Sequence, residues 1–182
     1  MSKPSDFMKF LSTPEPAALG PGPRAGVTPQ AELEAILKPL LSASALTDER
    51  QQLVGALILL WHDHLDAAHG IAQSIDNPDG AFVHGIMHRR EPDFSNAAYW
   101  FRRVGKHAVF PHIANQVTTM LKTEDDRPLE TKLVRGNNWD PFAFIAACEE
   151  AIGKATPEER LLREIQRIES RVLLNEFVAR VQ

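Results

Sequence analysis

Helical spacing of apolar residues is the sequence feature that most limits the fold of this chain. From residue 157 onward, apolar residues recur every three or four positions and form one stripe: Leu161, Leu162, Ile165, Ile168, Val172, Phe177 and Val178. Such spacing predicts an amphipathic α-helix with one buried face. No run of four or more residues alternates between apolar and polar as a half-buried strand requires. We therefore predict an all-α, single-domain bundle of about six to seven helices.

Capping residues, prolines and glycines divide the chain into its helices. They place helical segments at about 29–41, 47–75, 81–91, 96–104, 111–122, 141–153 and 157–182. The Asn-Pro-Asp-Gly stretch at 77–80 predicts a short turn that makes the second and third segments antiparallel neighbours. The polar stretch 123–139 predicts a long loop, of the kind that folds over a site.

Residues 1–27 differ from the rest of the chain in composition. They contain five prolines and three glycines, which favour neither a helix nor a strand. We predict a flexible or draped N-terminal arm at 1–27 and a helical domain at 28–182. An alternative is left open, in which Phe7, Met8, Phe10 and Leu11 dock one short helical turn onto the domain.

Charge and cysteine content exclude several classes of protein. A formal net charge of −4 argues against general nucleic-acid binding, which leaves a basic footprint. A single cysteine, Cys148, allows no disulfide within the chain and suits a reducing compartment. The most apolar stretch, 53–61, is much shorter than the roughly 20 residues that cross a bilayer. We expect a cytoplasmic protein without a secretory signal and without a nucleic-acid or membrane partner.

Histidines are concentrated in one part of the chain. All seven fall between residues 62 and 112: His62, His64, His69, His84, His88, His107 and His112. Helical spacing of four and then three residues places His62, Asp66 and His69 on one face of the second segment. The third segment repeats that spacing with His84, His88 and Glu91. If the two helices are antiparallel neighbours, the two sets converge.

Imidazole and carboxylate groups together suit a divalent transition metal such as zinc. The predicted metal ligands are His62, Asp66, His69, His84 and His88, and the predicted catalytic residues are Asp66, His69, His84 and His88. Two alternatives are left open. In the first, a histidine paired with a carboxylate acts as a general base without a metal. In the second, the imidazoles only hydrogen-bond to carboxylates inside a polar helix interface.

Two arginine pairs lie beside the histidines in the sequence. Guanidinium groups bind carboxylates and phosphates through two hydrogen bonds and stack on aromatic rings. The predicted substrate-binding residues are Arg89, Arg90, Glu91, Tyr99, Trp100, Arg102 and Arg103, for a small anionic ligand. Because adjacent helical residues point about 100° apart, at most one arginine of each pair can face one pocket. The alternative is internal pairing of Arg89 or Arg90 with Glu91 or Asp93.

One long run resembles a known signature. Residues 84–105 read HGIMHRREPDFSNAAYWFRRVG, and this run is similar to the H-x-I-M-H-R-R-E-P-D-Y-S-N-x-x-Y-W-F-R-R-V-G stretch of an uncharacterised bacterial family of hypothetical proteins. Flanking residues 65–74 and 139–142 also look similar, so the resemblance covers about residues 50–150. The resemblance implies that the protein is bacterial and that these residues act as a unit. It implies no activity, because none is assigned to the family. Phe94 stands where the signature has Tyr, so a hydroxyl is missing there.

The sequence favours a helical domain with a polar pocket of His, Asp and Arg that binds a small anionic ligand. Metal-dependent hydrolysis is the reaction class that such a pocket suits best. Two other classes are left open: a non-catalytic ligand-binding protein that uses the same pocket, and a protein-interaction module with a self-satisfied polar core and the charged last helix as its partner surface. Whether the protein is an enzyme is not decided by the sequence.

Overall fold

A computed structural model describes residues 3–179 and shows an all-α fold. Over those residues the helices are α1 (Pro4–Met8), α2 (Gln30–Ser42), α3 (Asp48–Trp61), α4 (Leu65–Ala72), α5 (Pro78–Arg90), α6 (Phe94–Val104), α7 (Phe110–Thr123), α8 (Arg127–Leu133), α9 (Pro141–Ala151) and α10 (Pro157–Ala179). A 3-10 turn covers Lys9–Leu11, and two short antiparallel strands, β1 (Val134–Arg135) and β2 (Asn138–Trp139), form a hairpin. No helix in this range is both long and apolar enough to cross a membrane.

The predicted number of helices is wrong, because the described residues form ten rather than six or seven. One extra helix, α1, comes from the N-terminal arm. A second arises because the segment predicted at 47–75 is broken into α3 and α4. Asp63 lies in that break with φ of 68°, a left-handed conformation that interrupts a right-handed helix.

The third extra helix, α8, lies in the stretch predicted to be a long loop, and that prediction is also wrong. Asp126 begins α8 by accepting a hydrogen bond from the backbone N–H of Leu129 at 3.0 Å. The hairpin that follows turns at Gly136 and Asn137, whose φ values of 55° and 62° suit a two-residue turn of type I′. Glycine and asparagine are the residues that tolerate this conformation.

The N-terminal arm is packed onto the helical domain. Phe7, Leu11, Ala17 and Leu19 are each at most 1% exposed and belong to the main hydrophobic core. Over residues 3–27 the structure therefore corresponds to the docked alternative, and residues 1 and 2 lie outside the described part. Burial of four apolar side chains is a substantial favourable term, at about 25 cal/mol for each Å² removed from water.

Helix α5 lies at the centre of the domain. Every residue from Asp79 to Arg90 is buried, and the helix packs against α3, α4 and α6. Its Arg89 reaches α10, where Nη2 lies 2.5 Å from Oε2 of Glu169 and Nη1 lies 3.2 Å from Oε1. Both side chains are fully buried. A fully buried ion pair with two hydrogen bonds therefore joins α5 to α10.

Arg90 connects α5 to the N-terminal arm. Its guanidinium donates hydrogen bonds to the carbonyl oxygens of Ala18 and Gly20, each at 3.1 Å, and of Leu60. It also donates to Oδ1 of Asp63 at 2.6 Å. Burial lowers the pKa of Arg90 to about 10, although Asp63 acts in the opposite direction. The guanidinium is therefore still a cation at neutral pH.

Asp63 is shared between two arginines. In addition to Arg90, it accepts a hydrogen bond from the backbone N–H of Arg24 at 2.8 Å and one from its Nη1 at 2.5 Å. The Asp63 side chain is fully buried. The break after α3, the arm and α5 are thus held together by one carboxylate.

We expect replacement of Asp63 by Asn to lower the free energy of unfolding by about 3 kcal/mol or more, since two buried cations lose their counter-charge. Asparagine accepts the left-handed backbone, so the variant measures mainly the lost charge. Asp76→Asn is the control, because its ion pair with Arg103 is exposed and worth at most about 1 kcal/mol. Urea denaturation measures both, and equal losses would contradict the structural role of Asp63.

Candidate metal centre

Three of the predicted histidines meet between α4 and α5. His69 comes from α4, and His84 and His88 lie one turn apart on α5. The ring centroids are 4.7 Å apart for His69 and His84, 5.5 Å for His69 and His88, and 4.8 Å for His84 and His88. One nitrogen from each ring can be chosen so that all three lie within 4.8 Å of one another.

His62 and Asp66 are not part of this group, contrary to the prediction from helical spacing. The break after α3 removes His62 from the face of α4. Its Nδ1 accepts a hydrogen bond from the backbone N–H of Thr28 at 3.1 Å, and its Nε2 lies 3.0 Å from the carbonyl oxygen of Phe10. The ring thus contacts the arm at Phe10 and the start of the helical domain at Thr28. Asp66 is exposed on α4, and within residues 3–179 it makes no hydrogen bond or ion pair to a histidine.

His84 is the most enclosed of the three imidazoles. It is 3% exposed, and its Nδ1 is buried without a hydrogen-bond partner among the described residues. Its ring stacks on Trp100, with centroids 3.8 Å apart and planes 17° apart. Burial, together with the nearby His88 and His69, lowers the pKa of His84 to about 4. The ring is therefore neutral at pH 7, the form that binds metals.

His88 is held from two sides by polar groups. Its Nδ1 lies 3.1 Å from Oε2 of Glu91, which identifies Nδ1–H as the donor to this carboxylate. The amide nitrogen of Asn96 lies 3.1 Å from Nε2 and 3.4 Å from Nδ1. Because these two distances are similar, the amide nitrogen of Asn96 lies over the face of the imidazole ring and is not directed at one ring nitrogen alone. Burial lowers the pKa of His88, while Glu91 acts to raise it.

Close packing of α5 on α6 brings the aromatic and amide groups to the histidines. A Cβ atom added at Gly85 would lie 2.8 Å from the ring of Phe101, so a side chain at this position would push the helices apart. Asp93 begins α6 by accepting a hydrogen bond from the backbone N–H of Asn96 at 3.2 Å. Asn96 was missed by sequence reasoning, because only the packing of two helices places it over His88.

The predicted substrate arginines divide into two groups. Arg89 and Arg90 are fully buried and pair with Glu169 and Asp63. Both arginines are therefore paired inside the protein, which corresponds to the alternative left open by the sequence. Their partners are Glu169 and Asp63, and not Glu91 or Asp93. Their guanidiniums are therefore not available to a ligand at the histidines.

Residues on α6 line the outer side of the histidines. The guanidinium of Arg103 lies 5.3 Å from the ring centroid of Trp100 and pairs with Asp76 at 2.5 Å. Tyr99 is 47% exposed and packs edge-on against Trp100. Arg102 is exposed and, among the described residues, forms no ion pair or ring contact with this group. Of the seven predicted substrate residues, Glu91 and Trp100 touch the histidines, and Arg103 and Tyr99 touch Trp100.

Cys148 makes no contribution to this centre. It lies in the core of α9, where it is 1% exposed. Burial raises the pKa of its thiol to about 12, so no thiolate is present at neutral pH. Cys148 is therefore a buried structural thiol.

Three imidazoles in this arrangement can bind a transition metal. Zinc accepts nitrogen ligands at about 2.0–2.1 Å, so ligand atoms around a tetrahedral ion are about 3.3 Å apart. The three nitrogens lie within 4.8 Å of one another, so the widest gap would have to close by about 1.5 Å when a metal binds. Because His69 is only half-buried, one side of the group is open to solvent.

Comparison of the chain with protein-family models, with curated proteins and with solved structures gives no match. The three comparisons therefore assign neither a family nor an activity.

We expect the metal-free protein to lose stability as the pH falls from about 6.5 to about 4. In the unfolded chain an imidazole takes up its proton near pH 6.5, whereas folded His84 stays neutral until about pH 4. Between these values the unfolded state binds more protons, so stability falls with the pH. Urea midpoints in the presence of a chelator measure this loss.

The His84→Phe variant keeps an aromatic ring against Trp100 and removes the titrating group. Its stability should fall less steeply over this pH range than that of the wild type. His112→Ala, at an exposed position on α7, is the control and should follow the wild type. The same slope in His84→Phe and the wild type would show that His84 does not titrate in this way.

Proposed function

We propose that the protein binds a divalent transition metal ion, with zinc as the best fit, through His69, His84 and His88. The observation that carries this proposal is the convergence of three imidazole nitrogens within 4.8 Å, one ring having a buried nitrogen without a partner. An unsatisfied buried polar atom costs about 1–3 kcal/mol. Coordination of a metal at Nδ1 of His84 would remove that cost.

The other histidines support this choice over a self-satisfied polar core. His107 lies 2.9 Å from Oδ1 of Asp79, and its Nδ1 accepts a hydrogen bond from the backbone N–H of Val109 at 3.3 Å. His62 likewise uses both ring nitrogens. In the group of three, only His88 contacts a carboxylate. Hydrogen bonding inside the protein therefore accounts for His62 and His107 and leaves the convergence at His84 unexplained.

Glu91 and Trp100 suit the role of groups that orient metal ligands. Metal-binding histidines usually donate their second ring N–H to a carboxylate or carbonyl, which fixes the tautomer. Glu91 accepts from Nδ1 of His88, so Nε2 is the nitrogen that would bind the metal, and the Asn96 amide 3.1 Å from Nε2 would have to move aside. Trp100 restrains the plane of the His84 ring by stacking at 3.8 Å. Two of the three ligands are thus held in orientation before a metal arrives.

Hydrolysis of a small anionic substrate is the activity that we propose for this centre. Three protein ligands with an open fourth position are typical of catalytic zinc, whereas structural zinc has four. Three neutral imidazoles leave the positive charge of the metal uncompensated, which favours an anion at the open position. When bound, zinc lowers the pKa of a coordinated water to about 7 and polarises the substrate. Arg103 lies over Trp100, which stacks on His84, and it would add a positive charge for the substrate by exchanging its exposed partner Asp76 for the anion.

We expect the purified protein to bind one zinc ion per chain, measured by competition with a chromogenic chelator. His69→Ala, His84→Phe and His88→Ala should each weaken binding by more than about 100-fold, beyond the 10–100-fold typical of groups that only orient a ligand. His112→Ala is the matched control, since it removes an exposed imidazole from α7. Binding should also raise the melting temperature of the wild type.

Two results would overturn the metal proposal. One is zinc binding at less than one ion per chain in the wild type at micromolar concentrations. The other is equal binding by the wild type and by the three ligand variants. Circular dichroism before the titration confirms that each variant is folded, so a lost site is distinguished from a lost fold.

Glu91→Gln tests the orienting role separately. Glutamine keeps the length of the side chain but removes the negative charge that fixes the tautomer of His88. We expect zinc affinity to fall by about 10-fold to 100-fold, which is less than the loss in His88→Ala. Glu149→Gln, at an exposed position on α9, is the control. Unchanged affinity in Glu91→Gln would exclude an orienting role for Glu91.

The hydrolytic activity has its own test with p-nitrophenyl phosphate and p-nitrophenyl acetate. The zinc-loaded wild type should hydrolyse the anionic phosphate faster than the neutral acetate, and His88→Ala should hydrolyse neither. For the phosphate, Arg103→Gln should raise KM more than it lowers kcat, because Arg103 lies beside the centre rather than in it. Zinc binding without hydrolysis of either ester would leave the metal site in place and favour a non-catalytic ligand-binding protein.

A further inference from the structure

A second feature of the domain shares no residue with the group of three histidines. A cleft of about 540 Å³ lies between the turn that joins α6 to α7, the β1–β2 hairpin and the first turn of α9. Small-molecule sites usually have volumes of about 300–1,000 Å³. The residues of this cleft belong neither to the proposed metal centre nor to the group on α6 beside it.

Phe110, Trp139 and Phe142 contribute aromatic rings to the lining of the cleft. Phe110 and Trp139 are buried on its inner side, and Phe142 stands at its edge with 43% of its surface exposed. Phe142 is one of only three large apolar side chains exposed to this degree among the described residues. An exposed aromatic ring at the edge of an apolar cleft is a feature of ligand sites. The indole Nε1 of Trp139 is buried and has no hydrogen-bond partner in the described chain.

Positive charge predominates at the rim. Lys106 is exposed and forms no ion pair within residues 3–179. Arg135 is 76% exposed, and its Nε lies 3.5 Å from Oδ2 of Asp140. Oδ1 of Asp140 is used to begin α9, where it accepts hydrogen bonds from two backbone N–H groups. The cleft therefore carries two cations and one carboxylate in a chain whose net charge is −4.

We propose that the cleft binds a small planar aromatic molecule that carries one negatively charged group. The ring packs between Phe142 and the inner aromatic wall, and the anionic group faces Arg135 and Lys106. This proposal does not depend on the metal centre, since the two sites share no residue.

The test uses 1-naphthoate as the probe and the three tryptophan indole signals of a ¹⁵N-labelled sample as the readout. The Trp139 signal, assigned with the Trp139→Phe variant, should shift in a saturable way. The signals of Trp61, whose Nε1 donates to Thr13 at 3.0 Å, and of Trp100 should stay in place. The neutral analogue 1-naphthalenemethanol should bind about fivefold more weakly than the anion.

Two variants separate the charge from the ring. Arg135→Gln should weaken binding of the anion about fivefold and leave the neutral analogue unchanged. Phe142→Ala should weaken binding of both probes. Lys132→Gln is the matched control, because Lys132 pairs with Glu150 outside the cleft and should have no effect. The proposal is overturned if millimolar 1-naphthoate leaves the Trp139 signal unmoved, or if the neutral analogue binds as tightly as the anion.

Discussion

A buried carboxylate between two arginines determines the course of the chain around the candidate metal centre. Asp63 adopts a left-handed conformation after α3, and its side chain binds Arg24 from the N-terminal arm and Arg90 from α5. Enclosed charges are costly unless they are fully paired, so a chain that contains Arg90 at a buried position requires this partner. The break at Asp63 separates α4 from α3 and lets His69 approach α5. The N-terminal arm therefore contributes indirectly to the position of a histidine from another segment.

Helix α5 supplies both the structural and the functional groups. On one part of its circumference, Arg89 and Arg90 form enclosed ion pairs that connect it to α10 and to the arm. On another part, His84 and His88 face α4 and α6. Since the ion pairs involve carboxylates from distant segments, the orientation of α5 about its own axis is fixed by the whole fold. A fixed orientation is what a metal site requires, because its ligands must be placed to within a fraction of an ångström.

Much of this arrangement was accessible from the sequence, and the exceptions have physical causes. The spacing of apolar residues predicts the all-α fold, and the spacing of His84 and His88 predicts that they share a face of one helix. His62 was placed with them because the apolar pattern continues through residue 62, whereas the break depends on Arg24 and Arg90, which are far from Asp63 in sequence. The hairpin could have been predicted from the sequence, because Gly136 and Asn137 favour a two-residue turn. No sequence pattern predicts the contact of Asn96 with His88, because it exists only once α5 and α6 are packed.

The proposed function depends on whether a metal ion occupies the space between His69, His84 and His88. The most direct measurement is a crystal structure of the zinc-loaded protein, with diffraction data collected on both sides of the zinc absorption edge. We expect one anomalous peak, from a zinc ion that lies about 2.0–2.1 Å from a nitrogen of each of the three imidazoles. A peak held by other residues, or none at this position in a protein that carries stoichiometric zinc, would contradict it.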